Sequence, residues 1–138
     1  MNYLLDTNAC IAAMQSRQTA VQTRMEREAA SGSGLHVPIV ALFELWYGAA
    51  KSAQREANAR RIALLLDAVP GVLPFEPNDA RAAAEIRAGL ERAGRPIGLY
   101  DILIAGQAVA RDLILVTANQ REFGRIKGLR WEDWASTA

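Results

Sequence analysis

Short apolar runs alternate along the chain with longer stretches in which apolar residues recur at helical spacing. Asn2-Tyr3-Leu4-Leu5 reads as a short buried strand, after which Asp6-Thr7-Asn8 offers capping side chains for a helix through Ala9–Met14. Thr19 to Ala30 is a charged helix, Ser31-Gly32-Ser33-Gly34 a loop, and Leu35-His36-Val37 a second strand closed by Pro38. A helix from about Ile39 to Ala50 follows, then another from about Gln54 to Ala68 with Ile62, Leu65 and Leu66 on one face. Gly71-Val72-Leu73-Pro74 reads as a third strand, and Asn78 or Asp79 is the expected cap of a helix running to about Ala93. Gly94-Arg95-Pro96-Ile97-Gly98 is a turn, Tyr100-Asp101 opens a helix over Ile102–Arg111, and Leu113-Ile114-Leu115-Val116-Thr117 makes a fourth strand. Alternation of strands and helices favours an α/β fold with a parallel sheet.

Four acids interrupt this pattern where strands and helices meet. Asp6 follows the first strand, Glu44 lies in the middle of the Ile39 helix, Asp101 opens the Ile102 helix and Glu122 follows Thr117-Ala118-Asn119. Each stands in or beside an apolar run, where an unpaired carboxylate is costly. Ligands in open parallel sheets gather beyond the carboxyl ends of the strands, and only there can four acids from four segments converge. Two carboxylates about 4 Å apart repel by roughly 4 kcal/mol at an effective dielectric near 20, so protons or a metal must intervene.

Composition narrows the choice of metal. Cys10 is the only cysteine and His36 the only histidine, which removes an intrachain disulfide, a cysteine-built cluster and the usual imidazole ligands of zinc, copper and nickel. The available ligands are oxygens, the carboxylates with hydroxyl or amide help from Thr7, Asn8, Thr117 and Asn119, and such a set suits Mg²⁺ or Mn²⁺. A divalent ion held this way supports phosphodiester hydrolysis by an activated water and needs no Ser, Cys or His nucleophile.

At 138 residues the chain is long enough for one domain, expected to span 1–138, and its 51% hydrophobic and 22% charged composition is that of a folded globular protein. A net charge of +1 gives no global case for a polyanion partner, so any nucleic-acid contact has to be local. Sixteen cationic residues include only two lysines, Lys51 and Lys127, leaving a surplus of arginine forks that fit phosphate or carboxylate. No basic-then-apolar leader precedes Asp6 and no apolar run approaches the ~18 residues of a membrane span, so a cytoplasmic location without membrane contact is expected.

The words around the acids resemble those of PIN-domain ribonucleases, in particular VapC toxins of bacterial type II toxin–antitoxin pairs. The matching stretches are Leu5-Asp6-Thr7-Asn8, Glu44-Leu45-x-Tyr47-Gly48-Ala49, Gly94-Arg95-Pro96-Ile97-Gly98-x-x-Asp101-x-x-Ile104-Ala105, and Val116-Thr117-x-Asn119-x-x-Glu122-Phe123 with Gly128-Leu129 and Glu132-Asp133-Trp134 behind it. The match covers nearly the whole chain. It implies a PIN domain, a mostly parallel sheet of about four to five strands flanked by helices. Asp6, Glu44 and Asp101 would form its acidic triad, with Asp6 and Asp101 as metal ligands. Glu122 would be the more variable fourth acid, and Thr7, Asn8, Thr117 and Asn119 would hold carboxylates and waters. Leu99 departs from the pattern, since close relatives often carry Pro before the aromatic–Asp pair.

The resemblance also implies a homodimer, a small VapB-like antitoxin whose C-terminal segment covers the active-site groove, and structured RNA as substrate, the transfer-RNA anticodon stem–loop in several relatives. Arg87, Arg92 and Arg95, leading into the Asp101 loop, are candidates for phosphate contacts or members of a solvated helix face. Among the remaining residues, Cys10 is expected as a small buried apolar group, His36 as a hydrogen-bonded or exposed strand residue, and Trp46 and Tyr47 as core or dimer contacts. Trp131 and Trp134 are expected to pin the C-terminus. Two other functions use the same residues. An aspartate-nucleophile phosphotransferase would want a second Asp where Asn8 stands and a well-placed lysine, and an RNA- or protein-binding module without turnover would have no need of four mutually repelling acids.

Overall fold

A computed structural model describes residues 1–135. Five strands, β1 (Asn2–Leu5), β2 (Gly34–Pro38), β3 (Gly71–Leu73), β4 (Ile114–Val116) and β5 (Trp131–Glu132), form one sheet in the order β3-β2-β1-β4-β5, with every pairing parallel. The helices are α1 (Thr7–Ala13), α2 (Ala20–Ala30), α3 (Ile39–Lys51), α4 (Arg55–Ala68), α5 (Pro77–Arg92), α6 (Leu99–Ala110) and α7 (Gln120–Phe123). Strand order grows outward from β1 to β2 and β3 on one side, and jumps to β4 on the other. Such a reversal opens a crevice beyond the carboxyl ends of the two strands flanking it. Leu5 pairs with Val116 at that point, so Asp6 and Thr117 stand next to each other just past the sheet.

Tyr3, Leu4, Leu5, Val37, Leu115 and Val116 are buried, because a parallel sheet covered by helices has no wet face. Three helix starts follow local chemistry. Asp6 caps α1 by accepting from the Ala9 N–H at 2.8 Å, Thr19 and Gln22 form a reciprocal capping box on α2, and Pro77 occupies the first turn of α5.

The helix expected to be capped by Asn78 or Asp79 instead begins at Pro77 with Glu76 as its cap, and Asp79 lies inside the first turn accepting from the Glu76 N–H at 2.8 Å. Its position is explained by a partner far away in sequence. Arg111, at the end of α6, grips Asp79 through Nε at 3.2 Å and Nη2 at 2.9 Å, and donates to the Pro74 carbonyl at 2.7 Å. Gln107, fully buried, donates to the carbonyls of Leu73 and Pro74, so two α6 side chains hold the exit from β3.

α5 and α6 pack closely because Gly106 has no side chain. A Cβ there would come 2.6 Å from the Ala83 Cβ and 2.7 Å from its backbone, which cannot swing away. Gly106→Ala should therefore lower the melting temperature by about 3–6 °C, the overlap of roughly 1–3 kcal/mol outweighing the ~1 kcal/mol of helix propensity that alanine brings. An unchanged or higher melting temperature in a thermal scan would refute this close-approach role.

α7 and β5 are additional to the elements read from the sequence; each is too short to announce itself by periodicity. β5 carries the C-terminal segment to Trp134, whose ring meets Tyr3 edge-on at 4.9 Å, lies under the Arg24 guanidinium at 5.0 Å and donates to Glu132 Oε1 at 2.9 Å. Trp134 thus pins this end of the chain to the sheet, as expected, and Trp131 does so through its strand pairing with Leu115. Cys10 is fully buried and burial pushes its thiol well above the usual range. Burial lowers the pKa of His36, which is half-buried in β2. Trp46 and Tyr47 are not core: both are exposed, with Tyr47 stacked on Phe43.

Candidate active site

The four acids arrive at the crevice from four elements. Asp6 ends β1 and is only 4% exposed. Its backbone N–H donates to the Val116 carbonyl at 3.1 Å, one Oδ is occupied by the Ala9 N–H, and the Thr117 hydroxyl, which accepts from the Asn119 N–H at 3.0 Å, stands close enough to the same carboxylate to favour its charge. Glu44, one and a half turns into α3, accepts from the Thr7 hydroxyl at 2.7 Å. Asp101 sits in the first turn of α6, behind Gly98. Glu122 belongs to α7 and is held by Asn119, which caps that helix with its amide oxygen and donates from Nδ2 to Glu122 Oε2 at 3.1 Å.

Electrostatics ties these positions together. Burial raises the Asp6 pKa; hydrogen bonds from Thr117 and Ala9 counter it, and the charges of Glu44 and Asp133 add to the rise. Asp101 is pushed up to about 7, first by burial, then by a hydrogen bond with Glu122 and the Glu122 charge, then by Asp6 and Glu44. Asp101 therefore feels Glu122, Asp6 and Glu44 across one crevice.

Of the supporting residues, Thr7 and Asn119 each bond one acid, and Thr117 stands beside Asp6. Asn8 is exposed and makes no side-chain hydrogen bond among the described residues. Arg92 and Arg95 are exposed on the end of α5 and the turn after it, and Arg87 is turned along α5 to Glu91 at 3.0 Å. A fifth acid, Asp133, also acts on Asp6. Because Val116 pairs with Glu132, and the Thr117 N–H donates to the Glu132 carbonyl, Asp133 falls beside Thr117 at the same level as Asp6. The Glu132-Asp133-Trp134 word carried that signal, but only the pairing of β5 with β4 converts it into a place in the crevice.

The donor set fits a hard divalent cation: every polar side chain facing the crevice offers oxygen or amide, and the carboxylates carry more mutual repulsion than they relieve. Among the described residues no three of these groups already stand within common reach of one ion, the acids being tied instead to Thr7, Thr117, Asn119 and each other. A cation would bind against the raised pKa of Asp101, so its binding should strengthen as pH rises through about 7.

This arrangement has a consequence for stability. Asp101 titrates near 3.8 when unperturbed and at about 7 in the fold, so its protonated form is favoured by folding. The stability it contributes is complete below about pH 4 and lost as pH rises through about 7. Asp6 is shifted in the same direction. In EDTA the melting temperature should fall between pH 5 and pH 8, Asp101→Asn should flatten most of that slope, and added Mn²⁺ should restore stability at pH 8. A melting temperature that rises with pH in EDTA would contradict the mutual repulsion of the acids.

An acid crevice at the switch point of a five-stranded parallel sheet, lined by oxygen donors, is the architecture of this site. The PIN domain pattern matches residues 3–129, and the chain belongs to the PIN-domain family and, within it, to the VapC group. It is 39% identical over 135 residues to the tRNA(fMet)-specific endonuclease VapC of Shigella flexneri, covering 98% of this chain and 99% of that one. The protein of the same name from Salmonella typhimurium is 38% identical over 97% of this chain and 98% of its own length. Among solved structures, VapBC2 from Rickettsia felis bound to a DNA fragment from its promoter superposes with a TM-score of 0.91 at 33% identity, covering 97% of this chain and 99% of that chain. DNA-bound VapBC from Salmonella typhimurium superposes at 0.88 with 36% identity over 97% and 98% of the two chains. Among the described residues no helix is long and apolar enough to cross a membrane.

Proposed function

We propose that this chain is the toxin of a type II toxin–antitoxin pair and acts as a Mg²⁺- or Mn²⁺-dependent endoribonuclease, with structured RNA such as transfer RNA as its substrate and a VapB-like antitoxin as its partner. The observation that carries the chemistry is the convergence of Asp6, Glu44, Asp101 and Glu122 on one crevice, where burial and mutual charge hold Asp101 at about 7. The names of the relatives supply the substrate class and the partner: two of them are tRNA(fMet)-specific endonucleases, and the superposing structures are VapBC complexes.

When bound, a divalent cation supplies Lewis acidity toward a phosphoryl oxygen and lowers the pKa of a water for in-line attack. Asp6 and Asp101 are the residues that would hold it, Asp6 from the end of β1 and Asp101 from the first turn of α6. Glu44 keeps its orientation through the Thr7 hydroxyl and closes the third side of the crevice. Thr117 stands beside the Asp6 carboxylate and lowers the cost of its charge, and Asn119 holds Glu122 facing Asp101. No side chain of the chain need become covalently attached to the RNA.

The test is incubation of purified protein with a total transfer-RNA pool in Mg²⁺, Mn²⁺ or EDTA, with cut ends mapped by sequencing. Discrete cuts that vanish in EDTA are expected. Cleavage undiminished by EDTA would remove the metal mechanism, and an absence of cleavage of both transfer RNA and other structured RNA would leave the non-catalytic binding module as the better reading.

A further inference from the structure

β1, β4 and β5 lie side by side, and their registers continue past the ends of the strands. Leu5 pairs with Val116 and Val116 with Glu132, so the next residues, Asp6, Thr117 and Asp133, form one row across the carboxyl edge of the sheet. The Asp6 N–H donates to the Val116 carbonyl at 3.1 Å and the Thr117 N–H to the Glu132 carbonyl at 3.0 Å, which carries the ladder into that row. Side chains alternate between the two faces of a sheet, so the three members of a row share a face.

The opposite face accounts for both neighbours of Asp133. Glu132 accepts from Arg24 at 3.1 Å and from Trp134 Nε1 at 2.9 Å, and the Trp134 ring lies against Tyr3. With Glu132 and Trp134 committed toward Tyr3 and α2, Asp133 is turned to the face that Asp6 occupies. There it is half-buried and makes no ion pair among the described residues. Its Oδ1 accepts from the Ala135 N–H at 2.9 Å, a turn that Asn or Ser would make as well. The turn therefore does not explain the negative charge, and that charge acts on Asp6.

Neighbouring strands lie about 4.8 Å apart, so roughly 10 Å separates the Asp6 and Asp133 backbones, with Thr117 between them. Side chains standing parallel at that spacing are too far apart to share one small cation, whose ligands stand at about 2.1 Å. Such an ion keeps several of its waters, and a carboxylate one layer further out can hold one of them by a charge-assisted hydrogen bond.

Resting on the metal-dependent ribonuclease reading above, we propose that Asp133 is a positioning residue of the cation site: across Thr117 from Asp6, its carboxylate holds a water in the shell of the divalent ion that Asp6 binds. It thereby orients that shell and adds negative charge without occupying a ligand position.

Mn²⁺ titrations by isothermal calorimetry at pH 8 compare the parent with Asp133→Asn and Asp133→Ser, both of which keep the turn to Ala135 and lose the charge. The dissociation constant should rise about tenfold in both, the usual effect of removing a carboxylate that orients what the metal binds. In EDTA both variants should melt at or above the parent's temperature, since a repulsion has gone and the turn remains. In RNA cleavage the Mn²⁺ concentration that gives half the maximal rate should rise by the same factor, with KM for RNA unchanged. Mn²⁺ affinity within twofold of the parent in either variant would overturn the role and leave Asp133 a turn-former. Weaker affinity accompanied by a lower melting temperature in both would overturn it too, by making the turn rather than the charge responsible. A parent that binds no Mn²⁺ would instead bring down the metal-dependent reading itself.

Discussion

Asp101→Asn protein will cut RNA at least a thousandfold more slowly than the unaltered protein, a loss of about 4 kcal/mol of transition-state stabilisation. The amide keeps the size of the side chain and its place in the first turn of α6, but carries no charge to hold a cation. Because Asp101 is the acid on which burial, Glu122, Asp6 and Glu44 all act, its neutralisation also removes the largest repulsion in the crevice. The same variant should thus be inactive and, in EDTA at pH 8, more stable than the parent, with a melting temperature higher on the order of 5 °C. Loss of activity with loss of stability would point to misfolding. Retained activity would remove Asp101 from the chemistry. Side-by-side RNA cleavage assays and thermal scans distinguish these outcomes, and overexpression in a host lacking antitoxin should arrest growth for the parent but not for the variant.

Arg111→Ala should have the largest effect on folding. Its guanidinium is the partner of Asp79, whose side chain is only 2% exposed, and truncation leaves that carboxylate with the Glu76 N–H as its remaining donor. Breaking a buried pair from one side typically costs about 3–5 kcal/mol; since Arg111 is itself 26% exposed, water can partly replace it, and about 3 kcal/mol is expected. For a chain of this size that lowers the melting temperature by roughly 6–12 °C. Removing Asp79 as well, in an Arg111→Ala/Asp79→Ala protein, should recover part of the loss, because most of the cost is the orphaned charge rather than the missing attraction. A single variant that melts like the parent would show that the pair is solvated in solution. Arg111 lies about 15 Å along α6 from Asp101, so surviving folded protein should retain RNA cleavage.

The site was legible in the sequence to the extent that it consists of charges in apolar surroundings. Asp6 after Tyr3-Leu4-Leu5, and Asp101 before Ile102-Leu103-Ile104-Ala105, are visible because a carboxylate beside a core run demands a reason. Asp133 was not, because its neighbours in sequence are Glu132 and Trp134 and nothing local marks it; it reaches the crevice only through a two-residue strand whose pairing with β4 is set by distant residues. The chain neighbours of Asp79 permit a cap, while the group that determines its role, Arg111, lies on another helix. The short α7 and β5 escaped for a related reason: four and two residues are too few to show a period, and tertiary contacts alone stabilise them.

By itself, then, the order of apolar and polar residues determined the alternation of strands and helices, the parallel sheet, and the identity of the oxygen ligands, since each depends on spacing within a few residues or on composition. Tertiary structure alone decided which acids meet and that Asp6 and Asp101 are pushed above their ordinary titration. Those properties arise from distances between groups far apart in the chain. Coulomb energies and packed volumes depend on such distances, and a linear pattern does not contain them.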